Sequence, residues 1–506
     1  MPGLQSGLND HWHNLQIRKK MSTGNTVLAT SYHKLFIGGQ WVNPTTDSKI
    51  EIRSPHDQSV TGVAALAGEA DIDAAVDAAQ KALRSGPWAK MLPEERQAII
   101  ERFVNLHHAK VNEFAGLITL ENGSPIWFTG VLQDLLKLQT ESFLCAAKNV
   151  EWEIRQATYS GERVIRREPA GVVAAIIPWN VPQQSALIKI IPAMLAGCTV
   201  VLKSTPATAL DSLALGELFK AAGLPDGVLN IVPADREIGE YLISHPKVDK
   251  ITFTGSTTAG KKIAAIAGSQ MKRVSMELGG KAAAIILEDA DLAAAVESLK
   301  FGAFVNSGQS CLAKTRVLAP REKYEQTVAA LSEMVSGLSV GNPFNRGNFI
   351  GPMANQQHYE KVRNYIQVGV QEGARLVTGG PELPSGEDLK DGWYIKPTLF
   401  ADVNNQMRIA REEIFGPVLV VIPYDTVEEA IAIANDSEYG LCAAVYSADK
   451  EAALEISRHI EAGSISINGA FLDFDSPFGG YKKSGIGREA GIYGIEEFTE
   501  LKALTM

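Results

Sequence analysis

Four uninterrupted apolar runs, each followed by helix-patterned sequence, constrain this chain more than any other feature. They are Val172-Val173-Ala174-Ala175-Ile176-Ile177, Thr199-Val200-Val201-Leu202-Lys203, Val228-Leu229-Asn230-Ile231-Val232 and Lys250-Ile251-Thr252-Phe253. None shows the in–out alternation of a strand with one wet face, so each is read as buried on both faces. Such strands, separated by helices, form parallel sheets through right-handed crossovers. A second series begins near Ala282-Ala283-Ala284-Ile285-Ile286-Leu287 and continues through Arg316-Val317-Leu318 and Pro417-Val418-Leu419-Val420-Val421-Ile422. The expected class is α/β, with two parallel-sheet domains facing each other across a cleft.

Ahead of the first series, Lys34 to Val42 predicts two short strands about the Gly38-Gly39 turn. Asp71 to Ala79 predicts a capped amphipathic helix, and Pro93 opens another. Trp152 to Pro169 alternates on both sides of Tyr159-Ser160-Gly161-Glu162, a charged hairpin suited to pairing with another subunit. Residues 1–33 read as a flexible N-terminal extension. Its first twenty residues lack the apolar block of a signal peptide, and His11, Trp12 and His13 belong to that extension rather than to a metal cluster.

Composition narrows the function. The formal charge of -10 argues against nucleic acid as the main partner. No apolar run reaches membrane-spanning length. The cysteines Cys145, Cys198, Cys311 and Cys442 lie far apart without a CxxC. That pattern excludes a disulfide scaffold, gives no zinc site, and fits a reducing, cytoplasmic setting. Three of them read as small core residues.

Cys311 differs, because it ends the run Asn306-Ser307-Gly308-Gln309-Ser310-Cys311. Upstream, Met276-Glu277-Leu278-Gly279-Gly280-Lys281 places a carboxylate beside two glycines. A thiolate can add to a carbonyl carbon, and a carboxylate can then activate water against the resulting thioester. The first-series strands also end in polar groups: Ile177 in Pro178-Trp179-Asn180, Leu202 in Lys203-Ser204-Thr205-Pro206, Phe253 in Thr254-Gly255-Ser256. Doubly wound sheets bind ligands at these strand ends, and Ser256 at a helix start suits a phosphate. The GxGxxA string Gly485-Ile486-Gly487-Arg488-Glu489-Ala490 is a decoy, since no buried strand precedes it and too little chain follows for a βαβ unit.

Together these residues resemble the NAD(P)-dependent aldehyde dehydrogenase superfamily from Lys34 to the C-terminus. The resemblance rests on six motifs in order: Pro178-Trp179-Asn180, Phe253-Thr254-Gly255-Ser256, Glu277-Leu278-Gly279-Gly280-Lys281, Gly308-Gln309-Ser310-Cys311, Glu413-Ile414-Phe415-Gly416-Pro417 and Ser476-Pro477-Phe478-Gly479-Gly480. It implies an NAD(P)-binding domain from 34–150 and 171–280, and a catalytic domain from 281–480. It also implies a small β oligomerisation element from 151–170 and 481–506, in a homodimer or homotetramer. Cys311 is then the nucleophile, Asn180 the oxyanion donor and Glu277 the base, with Lys189 and Glu489 as a proton-relay pair. Ile177 and Trp179 match the wall of the cofactor cleft, Lys203 the adenosine ribose, Gly255 and Ser256 the pyrophosphate. Gly279, Glu413 and Phe415 match the nicotinamide end. Taken singly, each has a plain structural reading: Asn180 shapes a turn before Pro182, Glu277 caps a helix, Phe415 packs in a core.

Departures from the family pattern inform specificity. Pro206 stands where NAD-selective relatives place a glutamate, which leaves both NAD and NADP open, with NAD favoured. Val181, Ser185, Ile188, Leu312 and Phe471 outline a substrate passage less aromatic than in acetaldehyde-type relatives, with Phe474 at its mouth. The expected substrate is a medium-size apolar or aromatic aldehyde, a semialdehyde being the alternative. Glu277 speaks against a CoA-acylating relative. Retention of Cys311, Glu277 and Asn180 speaks against a non-catalytic, crystallin-like protein.

Overall fold

The computed structural model describes residues 31–159, 161–471 and 473–506. His11, Trp12 and His13 lie outside the described residues. Ordered structure reaches into the expected extension. The Tyr32 N–H donates to Val63 O at 2.8 Å, and its ring stacks on Trp41 at 5.3 Å.

The first unit runs β1 (Leu35–Ile37), β2 (Gln40–Val42), α1 (Ile126–Lys148), β3 (Val172–Ile176), α2 (Pro182–Leu195), β4 (Thr199–Lys203), β5 (Leu229–Ile231), α3 (Arg236–Ser244), β6 (Lys250–Thr254), α4 (Thr257–Ser269) and β7 (Arg273–Glu277). The second runs β8 (Ala283–Ile286), β9 (Arg316–Pro320), α5 (Gln356–Gln371), β10 (Arg375–Thr378), β11 (Thr398–Ala401), β12 (Val418–Tyr424), β13 (Cys442–Tyr446) and β14 (Ser464–Ile467), followed by the short β15 (Gly485–Ile486).

The first sheet has the order β2-β1-β5-β4-β3-β6-β7-β15. Its five central strands are parallel, and β3, β4 and β5 are buried on both faces, as their unbroken apolar sequence requires. The chain steps from β3 through β4 to β5 in one direction, then returns to the other side for β6 and β7. The reversal opens a crevice above the carboxyl ends of β3 and β6, where such sheets take ligands. The second sheet, β10-β11-β12-β9-β8-β13-β14, is parallel except for its β10 edge. Hydrophobic cores lie on both faces of each sheet.

Local sequence explains several elements. The helix at Glu69–Ser85 starts from Gly68, and Asp71 is its third residue rather than its cap; the carboxylate reaches back to the Gly68 N–H at 2.9 Å. The helix at Pro93–His108 opens on proline, whose missing N–H costs nothing there. Strands β13 and β14 carry no distinctive run, and sequence reading passed them over. Glu277 ends strand β7 and caps no helix.

Glu153–Thr158 and Gly161–Pro169 form the expected hairpin, and Thr499–Thr505 pairs with its second strand. The remainder of 481–506 lies elsewhere. β15 closes the edge of the first sheet against Met276 and Glu277, and the helix Gly491–Glu496 packs on α1 and α2. The GxGxxA string is therefore an edge strand, not a phosphate turn. Among the described residues no helix is long and apolar enough to cross a membrane.

Candidate active site

Cys311 follows a loop that the backbone holds in an unusual shape. Asn306, Ser307 and Gly308 all take left-handed φ angles of 53°, 58° and 72°. Only glycine adopts this freely, so the two preceding side chains must hold the turn in place. The Asn306 Nδ2 donates to Asn180 O at 3.1 Å; the Ser307 Oγ donates to Gly351 O at 3.0 Å. The Gln309 Oε1 accepts from the Ala354 N–H at 3.0 Å. Gly308 itself leaves no room for a side chain, since a Cβ there would fall 2.3 Å from Gly416 O.

Asn180 belongs to the turn between β3 and α2. Asn122 fixes that turn, its Nδ2 donating to Trp179 O at 2.9 Å and to Asn180 O at 3.3 Å. The Asn180 Nδ2 donates to Gln309 O at 3.0 Å. That uses one of its two N–H bonds and leaves the second for a ligand.

Cys311, Glu277 and Asn180 line one cavity of about 550 Å3. Glu489 joins them on its wall. Lys189 does not line it; the lysine is fully buried behind the wall in an ion pair with Glu489. Neither oxygen of Glu277 has a hydrogen-bond partner. Burial and the neighbouring Glu489 charge hold its carboxyl well above the usual carboxylate range, with Lys189 and Arg488 working the other way. Burial also pushes the Cys311 thiol up, as do the charges of Glu413 and Glu277. Its own backbone N–H favours the thiolate.

The other cysteines divide differently from the sequence reading. Cys198 and Cys442 are buried, but Cys145 is exposed on α1. The Cys198 Sγ donates to Phe498 O and its pKa is pushed up to about 11, which makes it inert.

Trp179, Gly255, Ser256, Gly279, Glu413 and Phe415 line the same cavity from the first-sheet side and the facing domain. Ser256 caps α4, its Oγ accepting from the Ala259 N–H at 3.3 Å. Glu413 lies against the two glycines after Glu277. The Gly280 N–H donates to its Oε1 at 2.9 Å, and a Cβ on Gly279 would stand 2.4 Å from its Oε2. Ile177 falls outside the cavity, being 1% exposed in the core beneath. Lys203 and Pro206 also fall outside it, at the neighbouring end of β4.

Val181, Ser185, Ile188, Leu312 and Phe471 all line the remaining wall, with Phe474 beside Phe471. Sequence reading missed the aromatic groups opposite. Trp127 and Phe128 of α1 and Phe301 also line the cavity, so a passage read as less aromatic gains aromatic side chains from other elements. It also missed His358 and Lys361, one turn apart on α5. The His358 Nε2–H donates to Phe415 O at 2.7 Å, which supports Phe415 at its left-handed φ of 64°. Burial pushes the His358 pKa down to about 4, so the ring is neutral. Trp179 packs on both, at 5.1 Å from the His358 ring and 5.7 Å edge-on to Phe415. The helix is capped by Asn355, whose Oδ1 accepts from the His358 N–H at 2.9 Å.

Comparison with known proteins agrees with this arrangement. The profile of the aldehyde dehydrogenase family matches residues 41–504. A geranial dehydrogenase from Castellaniella defragrans is 43% identical over 480 residues, covering 94% of this chain and 99% of that one. A 3-succinoylsemialdehyde-pyridine dehydrogenase from a Pseudomonas species is 41% identical, covering 94% and 98%. Among solved structures, the Mycobacterium tuberculosis aldehyde dehydrogenase complexed with NAD+ superposes with a TM-score of 0.92 at 46% identity, covering 94% of this chain and 98% of that one. A mutant of aldehyde dehydrogenase C from Pseudomonas syringae, complexed with NAD+ and octanal, gives 0.89 at 38% identity, covering 94% and 98%. The chain belongs to the aldehyde dehydrogenase family.

Proposed function

We propose that this chain oxidises medium-size apolar or aromatic aldehydes to carboxylic acids with NAD+, through covalent chemistry on Cys311. The observation that carries the reading is the meeting of Cys311, Asn180 and an unpaired, buried Glu277 on one cavity.

The crevice fits a dinucleotide. It lies at the switch point of the first sheet, Ser256 opens a 13-residue helix whose first N–H groups suit a phosphate, and the bare backbone of Gly279 leaves space beside Glu413. Gly255 and Ser256 would hold the pyrophosphate, Lys203 the adenosine ribose, Glu413 and Phe415 the nicotinamide end. When bound, NAD+ supplies the two-electron acceptor.

The protein's own residues do the rest. Cys311 Sγ adds to the aldehyde carbon and forms a thiohemiacetal. The free N–H of the Asn180 amide and the Cys311 backbone N–H hold the oxygen where charge develops. Oxidation leaves a thioester on Cys311. Glu277, once deprotonated, takes a proton from water as it attacks that thioester, releasing the acid and restoring the thiol. Lys189 and Glu489 set the charge beside Glu277 and offer its proton a route outward. The passage walled by Trp127, Phe128, Ile188 and Phe301 favours apolar chains. The three-stranded sheet formed by the hairpin and Thr499–Thr505 is the surface we assign to subunit contact, and the free thiol suits the cytoplasm.

A second reading, a semialdehyde with a distal acid group, rests on Lys314, which also lines the cavity. NADH absorbance with a panel of aldehydes separates the two. Octanal and geranial are expected to exceed acetaldehyde and succinic semialdehyde by at least ~10-fold in kcat/KM. Cys311→Ala is expected to abolish turnover of all four. Undiminished oxidation by that variant would remove the proposal, and a preference for succinic semialdehyde would select the second reading.

A further inference from the structure

At the outer end of the crevice, β4 and β5 run parallel, with Leu202 beside Ile231. The chain leaving β5 is laced to the chain leaving β4, since the Ala234 N–H donates to Ser204 O at 3.3 Å. Asp235 then starts α3. Its Oδ1 accepts from the Ile238 N–H at 3.0 Å, which fixes the carboxylate at the strand ends while occupying one of its two oxygens. The first turn of α3 packs on Lys203, for a Cβ on Gly239 would stand 3.4 Å from Lys203 Cε. Lys203 is thus buried under this turn and Asp235 is exposed at its rim. Pro206, three residues after Lys203, has no side-chain group that could bond a sugar hydroxyl.

We propose that Asp235 supplies, from the neighbouring strand end, the ribose-binding carboxylate that Pro206 lacks, and so makes the site selective for NAD+ over NADP+. This rests on the reading of the crevice as a dinucleotide site. A carboxylate there accepts from the 2′- and 3′-hydroxyls and repels a 2′-phosphate. Lys203 supports the same ribose from beneath. Burial draws the Lys203 amine down to about 8, with Asp235 opposing that shift.

The test is binding of NAD+ and NADP+ to the full chain, followed by quenching of tryptophan fluorescence, with kcat/KM for both as a parallel readout. Wild type is expected to bind NAD+ at least ~10-fold more tightly. Asp235→Asn keeps a good helix cap, so the fold is retained. In it NADP+ binding tightens, NAD+ binding weakens, and the ratio falls toward one. An unchanged ratio in Asp235→Asn, or a wild-type preference for NADP+, overturns the proposal. So does loss of NADP+ binding confined to Arg236→Ala, which would give the 2′-position to Arg236. Failure to bind either nucleotide is a different result and refutes the cofactor reading itself.

Discussion

At the inner end of the cleft Glu277 is buried with neither oxygen paired, and Lys189 and Glu489 face each other away from water. At the ends of β4 and β5 Lys203 is buried under α3, while Asp235 stands at an exposed rim, where the carboxylate keeps a cap bond and solvent. Both ends carry a lysine and a carboxylate, yet they serve different purposes. Burial without partners moves protonation toward the pH range in which a group can exchange protons. A charge at the rim is open to what approaches it, and its proposed work is to attract one ligand and repel another. On the proposed reading the inner end governs rate and the outer end governs choice.

Four substitutions at the inner end sharpen or break this contrast. The largest effect is expected from Glu277→Gln, which keeps shape and removes the base. Its kcat should fall by ~10^2–10^4. Rapid mixing should show about one equivalent of NADH per subunit, as acyl-enzyme accumulates and mass rises by the acyl group. Steady turnover near the wild-type rate would mean that another group activates water.

Asn180→Ala comes next, with an expected loss of ~10^2–10^3 in kcat, about 3–4 kcal/mol of barrier. The test is the kcat–KM split over an aldehyde series. A change confined to KM would show that Asn180 only shapes the turn beside Asn122.

The smallest effect is a displacement of the pH profile. Glu277 acts deprotonated and its pKa is raised, so kcat should climb with pH through that raised value. Glu489→Gln removes the anion that holds the pKa up and leaves the Lys189 cation uncompensated, so the rising limb moves to lower pH. Lys189→Met removes the cation and moves it to higher pH, and breaking a buried pair from this side also lowers stability by ~3–5 kcal/mol. Limbs that stay fixed in both variants would detach the pair from Glu277. No such displacement is expected of Asp235→Asn, whose effect should appear in nucleotide choice.

The sequence disclosed some parts of this arrangement much better than others. Strands β3, β4 and β5 were legible because a strand buried on both faces has an unbroken apolar sequence. β13 and β14 were not, because Cys442-Ala443-Ala444-Val445 and Ser464-Ile465-Ser466-Ile467 are too short and plain to stand out. Cys311 and Glu277 could be chosen because each stands near glycines, and Asn180 because Pro178-Trp179-Asn180 is one of the motifs that carry the family resemblance. His358 and Lys361 could not, since nothing along α5 distinguishes a residue facing the cleft from one facing solvent. Trp127 and Phe128 read as ordinary helix apolars for the same reason. The 481–506 segment looked continuous in sequence but is shared among sheet edge, helix and hairpin, because strand pairing depends on where the partner edge lies.

What the sequence determined by itself was local. Side-chain periodicity and backbone freedom act within a few residues, and they set the strand–helix alternation and put glycines where the backbone needs freedom near Glu277 and Cys311. Tertiary structure decided everything that depends on distance through space. It placed Glu277 without a partner, buried Lys189 against Glu489 some 300 residues away, and packed α3, which Asp235 caps, onto Lys203. The physical reason is that burial and electrostatic coupling belong to the packed arrangement, and no stretch of chain carries them before it folds.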